Sequence, residues 1–161
     1  MRPRSSTTDG APIRGLLSYR LHVVANLLSR GAELRYRREF GVSLWEWRSI
    51  ALLGGSRAPL SLNELSRSAG IHKSQMSRVV SGLAARGVVL READEADGRG
   101  VRLALSKAGR RLYEGLIRAA DERNQAFLGC LSGPERKALD AALDKLAGRA
   151  RALIQKERIA R

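Results

Sequence analysis

The stretch SLNELSRSAGIHKSQMSRVVSGLAARGVVLREADEADGRGVRLALS, residues 61–106, decides the fold of the chain. It opens with Ser61-Leu62-Asn63-Glu64, which has the pattern of a capping box. In such a box the serine hydroxyl accepts from the amide of the glutamate, and the glutamate side chain accepts from the amide of the serine. The box predicts a helix over 62–69. Gly70 can adopt the left-handed conformation that ends such a helix, so a turn should follow.

A second helix is predicted from Lys73 to about Arg86. Its apolar residues have the i, i+3, i+4, i+7 spacing of one buried stripe, formed by Met76, Val79, Val80 and Leu83. The opposite face carries short or polar side chains that would let the helix approach the floor of a DNA major groove: Lys73, Ser74, Gln75, Ser77, Arg78 and Ser81. Taken alone, this face suits an ordinary solvent-exposed helix equally well. The residues that follow favour the DNA interpretation.

A two-stranded hairpin is predicted after Gly87. Residues 88–90 and 101–105 have apolar or β-branched strand character, and the charged loop 94–100 joins them. Near the tip, Arg99 follows Gly98 and could probe phosphates or a narrow minor groove, while Asp97 could pair locally with an arginine to hold the shape of the loop. A mobile, solvated tip is the alternative. Helix, turn, helix and hairpin in this order predict a winged helix-turn-helix.

Two short motifs in this region are specific: Asp97-Gly98-Arg99 and, after an alternating strand, Leu105-Ser106-Lys107-Ala108-Gly109. They resemble the wing of the MarR family of bacterial transcriptional regulators, which has Asp-x-Arg, a strand and then Leu-Thr-x-x-Gly; serine replaces threonine here. The resemblance extends over the whole chain. His72 departs from it, because the family often has Asp, Ser or a similar cap there, and this leaves the start of the second helix open.

Long helices are predicted on both sides of this region. The first runs from about Ile13 to Phe40, and its apolar surface is broader than one small core needs. A second capping box at 43–46 begins a helix that runs to about Leu53 and ends at Gly54-Gly55. After the hairpin, helices are expected over 107–130 and from Gly133 onward. Neither of these two has enough local partners to bury its apolar face, so a second copy of the chain is expected to cover them.

The predicted fold is therefore mainly α with a small β-hairpin wing. Residues 41–106 form the winged helix-turn-helix domain in this prediction. Residues 11–40 and 107–161 form a helical dimerisation region from the N- and C-terminal helices, and residues 1–10 are a disordered arm.

Composition favours a polyanionic partner. The 161 residues include 30 Lys and Arg against 16 Asp and Glu, a net charge of +14. The excess is small in residues 61–106, where 7 basic residues accompany 5 acidic ones, so charge alone does not locate a DNA site. No apolar run could span a membrane and no secretory signal is evident, which predicts a cytoplasmic protein without membrane contact. The single cysteine, Cys130, excludes an internal disulfide and is expected to be a small buried hydrophobe.

These features favour a homodimeric, sequence-specific regulator that binds a pseudo-palindromic operator in double-stranded DNA. We expect a repressor that a small-molecule effector relieves, although repressor and activator cannot be separated from residues alone. A winged helix that contacts only other proteins is the alternative, because the charge of the domain is modest. An enzyme is disfavoured, since phosphate-loop, dinucleotide and zinc-protease motifs are absent and the histidines are only His22 and His72. No catalytic residue, metal or cofactor is expected.

The resemblance implies that an effector enters a cleft between the dimer helices and the winged domain. Candidate residues for that cleft combine aromatic rings with cations: Tyr19, Arg20, His22, Trp45, Arg48 and Arg118. An aromatic or other organic carboxylate would suit this set, because a guanidinium can hold the acid at two points while the rings cover its apolar body. Each residue taken singly could also have a purely structural role, and the identity of the effector stays open.

Overall fold

The computed structural model describes residues 12–93 and 100–160. Within these residues the fold is mainly helical with one small antiparallel sheet. In chain order the elements are a 3-10 helix (Pro12–Gly15), α1 (Leu17–Phe40), α2 (Leu44–Gly55), β1 (Leu60–Ser61), α3 (Leu62–Ala69), α4 (Lys73–Ala85), β2 (Val89–Ala93), β3 (Val101–Leu105), α5 (Lys107–Leu128) and α6 (Gly133–Ile159).

The chain divides into two compact units, and the boundary falls within α5. Residues up to Ile117 form the first unit and residues from Arg118 form the second. The first unit contains the winged helix-turn-helix, as predicted. In the described part of the chain, no helix combines the length and the apolar character that crossing a membrane demands.

Capping boxes begin three of the helices. Ser43, Ser61 and Ser132 each accept from the amide three residues on, and the glutamate there accepts from the amide of the serine. These contacts confirm the predicted starts of α2, α3 and α6. The helix-turn-helix has its predicted bounds for the same local reasons, because Gly70 adopts a left-handed conformation (φ 70°) and ends α3.

The core of the winged domain lies between α2, α3, α4 and the sheet. On α4, Met76, Val80 and Leu83 are fully buried, and they pack with residues from the other elements: Ile50, Leu65 and Leu103. The hydroxyl of Ser49 on α2 donates to the sulfur of Met76 at 3.4 Å. Val79 is only half-buried, so its predicted place in the buried stripe was wrong. The stripe on α4 is narrower than the spacing of apolar residues indicated.

The sheet has three strands in the order β1-β3-β2, one more than predicted. Leu60 and Ser61 form β1 and pair antiparallel with Leu103 and Arg102. This strand is too short to produce an alternating pattern, and Ser61 also caps α3, so the sequence indicated a helix start alone. The hairpin strand β2 spans Val89–Ala93, which shifts it toward the tip relative to the predicted 88–90.

The second helix ends at Gly55, in the Gly54-Gly55 pair where its end is predicted. Two other local predictions need correction. The first long helix begins at Leu17, because residues 12–15 form a 3-10 helix and Leu16 is extended. Cys130 is exposed, not buried; its thiol lies just after α5 and donates to the Phe127 carbonyl at 3.0 Å.

Ser106 and Gly109 join the start of α5 to the start of the hairpin. The Ser106 hydroxyl donates to the Gly87 carbonyl (2.6 Å) and accepts from the Gly109 amide (2.9 Å), so one group caps the helix and closes the base of the hairpin. The Ser106 amide donates to the Val88 carbonyl at 3.0 Å. A Cβ on Gly109 would overlap that same carbonyl oxygen. The junction therefore needs a hydroxyl and, three residues later, a residue without a side chain.

We expect Gly109→Ala to destabilise the protein by about 1–3 kcal/mol, because the added methyl must push α5 away from the Val88 carbonyl. Gly148→Ala in α6 is the matched control, since a Cβ there meets open space and should stabilise the helix by about 0.5–1 kcal/mol. Urea unfolding midpoints measure both changes. Equal stability of Gly109→Ala and the wild type would contradict the close contact.

Candidate nucleic-acid interface

The exposed face of α4 carries the residues predicted to read DNA. Five of the six predicted side chains on this helix are exposed: Lys73, Ser74, Gln75, Arg78 and Ser81. Ser77 is half-buried and lies at the edge of the face. Within the described residues Arg78 has no hydrogen bond or ion pair. The face thus combines short side chains near the helix axis with one long donor.

The helix begins at Lys73, which answers the question that His72 left open. His72 is the N-cap residue with extended backbone, but its side chain makes no cap hydrogen bond. No side chain of His72 therefore caps the first amides of α4, which carry the partial positive charge of the helix dipole. Lys73 adds a full positive charge beside them. This end of the helix is favourable for an anion such as a phosphate.

Arg86 holds the other end of α4 against the turn between α1 and α2. Its guanidinium donates to Glu46 Oε1 at 2.9 Å and to the carbonyl of Gly41, the residue that ends α1, at 3.2 Å. Glu46 Oε2 accepts from the Ser43 amide at 2.7 Å in the capping box of α2. The position of α4 is therefore tied to the ends of both preceding long helices.

Two arginines connect the hairpin to the helix-turn-helix. Arg91 on β2 donates to the Ser81 hydroxyl of α4 at 2.9 Å. Arg102 on β3 pairs with Glu64 Oε2 at 3.2 Å. Hydrogen bonds from the amide and the hydroxyl of Ser61, followed by the charge of Arg102, hold the pKa of Glu64 below its usual value. The base of the wing is thus attached to both α3 and α4.

The predicted residues at the tip of the wing, Asp97, Gly98 and Arg99, lie outside the described residues. Their assignment to the wing and to DNA binding stays a prediction. The strands on either side, β2 and β3, pair in register from Val89 with Leu105 to Ala93 with Val101. The hairpin therefore has the predicted two strands leading to that tip.

Of the predicted effector residues, the structure brings Trp45 and Arg48 together. The Arg48 guanidinium lies 4.8 Å from the centre of the Trp45 ring and donates to the Ser29 hydroxyl on α1 at 3.4 Å. Tyr19, Arg20 and His22 are exposed on α1, and even His22 is roughly 10 Å from Ser29 along the helix axis. The His22 ring is hydrogen-bonded to Asn26 at 2.9 Å. Arg118 is exposed and belongs to the second unit.

A cavity of about 430 Å³ lies beside Arg48, between α2 and α3. Its lining is mostly apolar: Trp47, Arg48, Ala51, Leu52, Ser68 and Ala69. Of these residues, the sequence pointed only to Arg48 as an effector candidate. Their i, i+4 spacing on α2, Trp47 with Ala51 and Arg48 with Leu52, is a signal that could have shown one shared face.

The chain matches the model of the MarR family over residues 40–100. Among solved structures, a MarR/EmrR family transcriptional regulator from Acinetobacter sp. ADP1 is 26% identical, with a TM-score of 0.78, covering 87% of this chain and 98% of that one. A MarR family transcriptional regulator from Silicibacter pomeroyi is 28% identical, with a TM-score of 0.71, covering 85% and 99%. Staphylococcus aureus MepR, solved in a complex with DNA, shares the fold at 19% identity, with a TM-score of 0.76, covering 83% and 98%. No curated protein sequence matches significantly.

The family match spans α2, both helices of the helix-turn-helix and β2, and the structural matches extend the likeness to more than four fifths of the chain. The same region contains the capped α3, the exposed face of α4 and the base of the wing. Residues 40–100, which contain the helix-turn-helix and the first strand of the hairpin, are thus similar to the corresponding region of MarR family regulators.

Proposed function

We propose that the protein is a homodimeric, sequence-specific DNA-binding transcriptional regulator, acting as a repressor that a small organic ligand relieves. The observation that carries this proposal is the exposed face of α4, where Arg78, which has no partner in the described part of the chain, lies among short polar side chains. A B-DNA major groove is about 12 Å wide and admits one helix whose floor-facing residues are short. The relative MepR, which shares the fold, was solved in a complex with DNA.

Arg78 is the residue we assign to base reading. It projects from the side of α4 opposite the buried Met76 and Val80, so it would face the floor of the groove. A guanidinium can donate two parallel hydrogen bonds to the O6 and N7 atoms of guanine, which is the commonest specific contact in protein–DNA interfaces. Lys73, Ser74, Gln75 and Ser77 would contact neighbouring bases or the backbone, and Arg99 at the wing tip the adjacent minor groove.

Arg78→Ala should weaken binding to a duplex selected from a random library by about 1–3 kcal/mol, and binding to random DNA much less. Fluorescence anisotropy titrations at one salt concentration measure both affinities. Melting of the free protein is the control, and it should not change, because Arg78 has no partner in the described fold. Equal losses on both duplexes would make Arg78 a phosphate contact. If the wild type bound no duplex in a salt-dependent manner, that result would favour the alternative function, a winged helix that contacts only other proteins.

The proposed dimer accounts for the large apolar side chains that the single chain exposes. On α1 they include Leu17, Leu21, Val24, Leu27 and Leu28, and on α6 Leu139, Leu143, Leu153 and Ile154, all at least 40% exposed. No residue of α6 is buried. Exposed apolar surfaces of this extent are rare in monomers and are typical of interfaces. A second copy would cover both surfaces, and its two-fold symmetry would make the operator a pseudo-palindrome.

Light scattering should give about twice the chain mass of 17.6 kDa for the wild type. Val24→Glu should reduce the mass toward one chain, because Val24 is 53% exposed in the single chain and a charge there is harmful only if a partner covers it. Leu90→Glu on β2, where the side chain is 45% exposed, is the matched control and should stay dimeric. A wild-type mass of one chain at micromolar concentration would exclude the dimer.

For the effector we propose an aromatic or other organic carboxylate, bound at the cavity beside Arg48. The volume of about 430 Å³ is within the range of small-molecule sites, and the lining is apolar apart from Arg48 and Ser68. In the described residues Arg48 has no carboxylate partner, so its guanidinium can take one from a ligand. Tyr19, Arg20, His22 and Trp45 do not line this cavity and stay candidates from the sequence. Because Ser68 and Ala69 end α3, a ligand here would contact the helix-turn-helix directly.

A thermal-shift screen of small aromatic acids should find compounds that raise the melting temperature, and Arg48→Gln should abolish the shift. Arg57→Gln is the matched control, since Arg57 is exposed near the same helix but does not line this cavity. The methyl esters of the same acids should have little effect, because they lack the charge that Arg48 would bind. Binding of acids and esters alike, or an unchanged response of Arg48→Gln, would refute this ligand class.

A further inference from the structure

Arg91 faces the helices from the edge of the sheet. Residues on one face of a strand alternate, so Arg91 shares its face with Val89, which is buried, and its cross-strand partner Leu103 is buried as well. Arg91 itself is exposed, and it is the next residue on this face of β2 after the buried Val89. Its guanidinium reaches α4 and donates to the Ser81 hydroxyl at 2.9 Å. The side chain therefore lies in the angle between the wing and α4.

Among the residues that the structure describes, no carboxylate pairs with Arg91. Two other arginines at the joints of this domain have carboxylate partners, Arg86 with Glu46 and Arg102 with Glu64. In the described part of the chain Arg91 has only the neutral hydroxyl of Ser81. A guanidinium has five N–H donors, and one hydrogen bond leaves most of them available. Ser81 therefore orients the positive charge of Arg91, and no acid within residues 12–93 and 100–160 pairs with that charge.

The position of Ser81 on α4 decides which part of DNA this charge would meet. Ser81 follows Arg78 by three residues, so the two side chains lie on neighbouring parts of the exposed surface, about 60° apart around the helix. With Arg78 directed at the floor of the major groove, Ser81 and the guanidinium it holds lie toward one wall. The walls of the groove are the phosphate backbones, which guanidinium groups bind strongly.

We propose that Arg91 is a phosphate-binding residue of the DNA interface, positioned by Ser81. This inference rests on the proposed DNA-binding function and assigns it an anchoring contact at the base of the wing, separate from the wing tip. The Ser81 hydroxyl accepts one hydrogen bond and so restricts the long side chain before DNA arrives, which reduces the ordering cost of binding. The contact would increase the affinity for any duplex and would not contribute to sequence specificity.

The test compares four variants in salt titrations on a selected duplex and on random DNA. Arg91→Gln should reduce affinity for both duplexes by the same factor, roughly tenfold or more, and lower the slope of log K against log salt by about 2 per dimer, since each neutralised phosphate contributes about 0.9. Arg91→Lys should keep the slope. Ser81→Ala should keep the slope and weaken binding a few-fold, because the charge stays but is no longer held. Arg30→Gln, which removes an exposed arginine of α1, is the control and should match the wild type.

Two outcomes would overturn the assignment while leaving DNA binding intact. An unchanged salt slope in Arg91→Gln would mean that Arg91 only braces the hairpin. A loss confined to the selected duplex would make it a base contact. Melting curves of the variants show whether they are folded, and Arg91→Lys keeps the charge, so a loss of binding through unfolding can be recognised. If the wild type binds no duplex in a salt-dependent manner, the proposed function fails first, and the assignment fails with it.

Discussion

The carboxylate of Glu46 is the contact on which the geometry of the winged domain depends. One oxygen accepts from the Ser43 amide and begins α2, while the other accepts from Arg86, whose guanidinium also reaches the Gly41 carbonyl at the end of α1. An exposed ion pair of this kind adds at most about 1 kcal/mol of stability. The stability of the domain comes instead from buried side chains such as Met76, Val80 and Leu83. Glu46 instead fixes the position of α4, the helix proposed to read DNA, relative to the long helix α1 on which the proposed dimer is built.

At the start of α3, Glu64 has the same two roles. Glu64 Oε2 accepts from the Ser61 amide at 2.7 Å and pairs with Arg102 of β3 at 3.2 Å. In both boxes a glutamate that begins a helix also binds an arginine from an element distant in sequence. Local capping and long-range assembly therefore share one side chain, and the hydrogen bonds that lower the pKa of Glu64 also keep it ionised for its arginine. Helix starts and inter-element joints are formed by the same residues.

This double use explains what could be predicted from the sequence. The capping boxes and Gly70 are local signals, and they predicted the bounds of α3 correctly, while His72 left the start of α4 open. The partners of those residues come from far along the chain, so the arginines bound by Glu46 and Glu64 were not foreseen. The strand β1 was missed for the same reason, because Leu60 is defined by its pairing with Leu103. The cavity beside Arg48 is formed by the packing of α2 against α3, which periodicity does not specify. Val79 shows that apolar spacing overstates the width of a buried face.

The junction at Ser106 and Gly109 has a consequence for how this sequence can diverge. The hydroxyl at 106 donates to one carbonyl and caps α5, while the absent side chain at 109 leaves room for another carbonyl. Threonine can replace the serine because it keeps the hydroxyl, and no residue can replace the glycine without moving a helix. The two positions between them, Lys107 and Ala108, are exposed and free to vary. The motif Leu-Thr-x-x-Gly of MarR regulators, with its fixed ends and open middle, is thus the pattern that natural selection should leave wherever a helix starts this close to a strand.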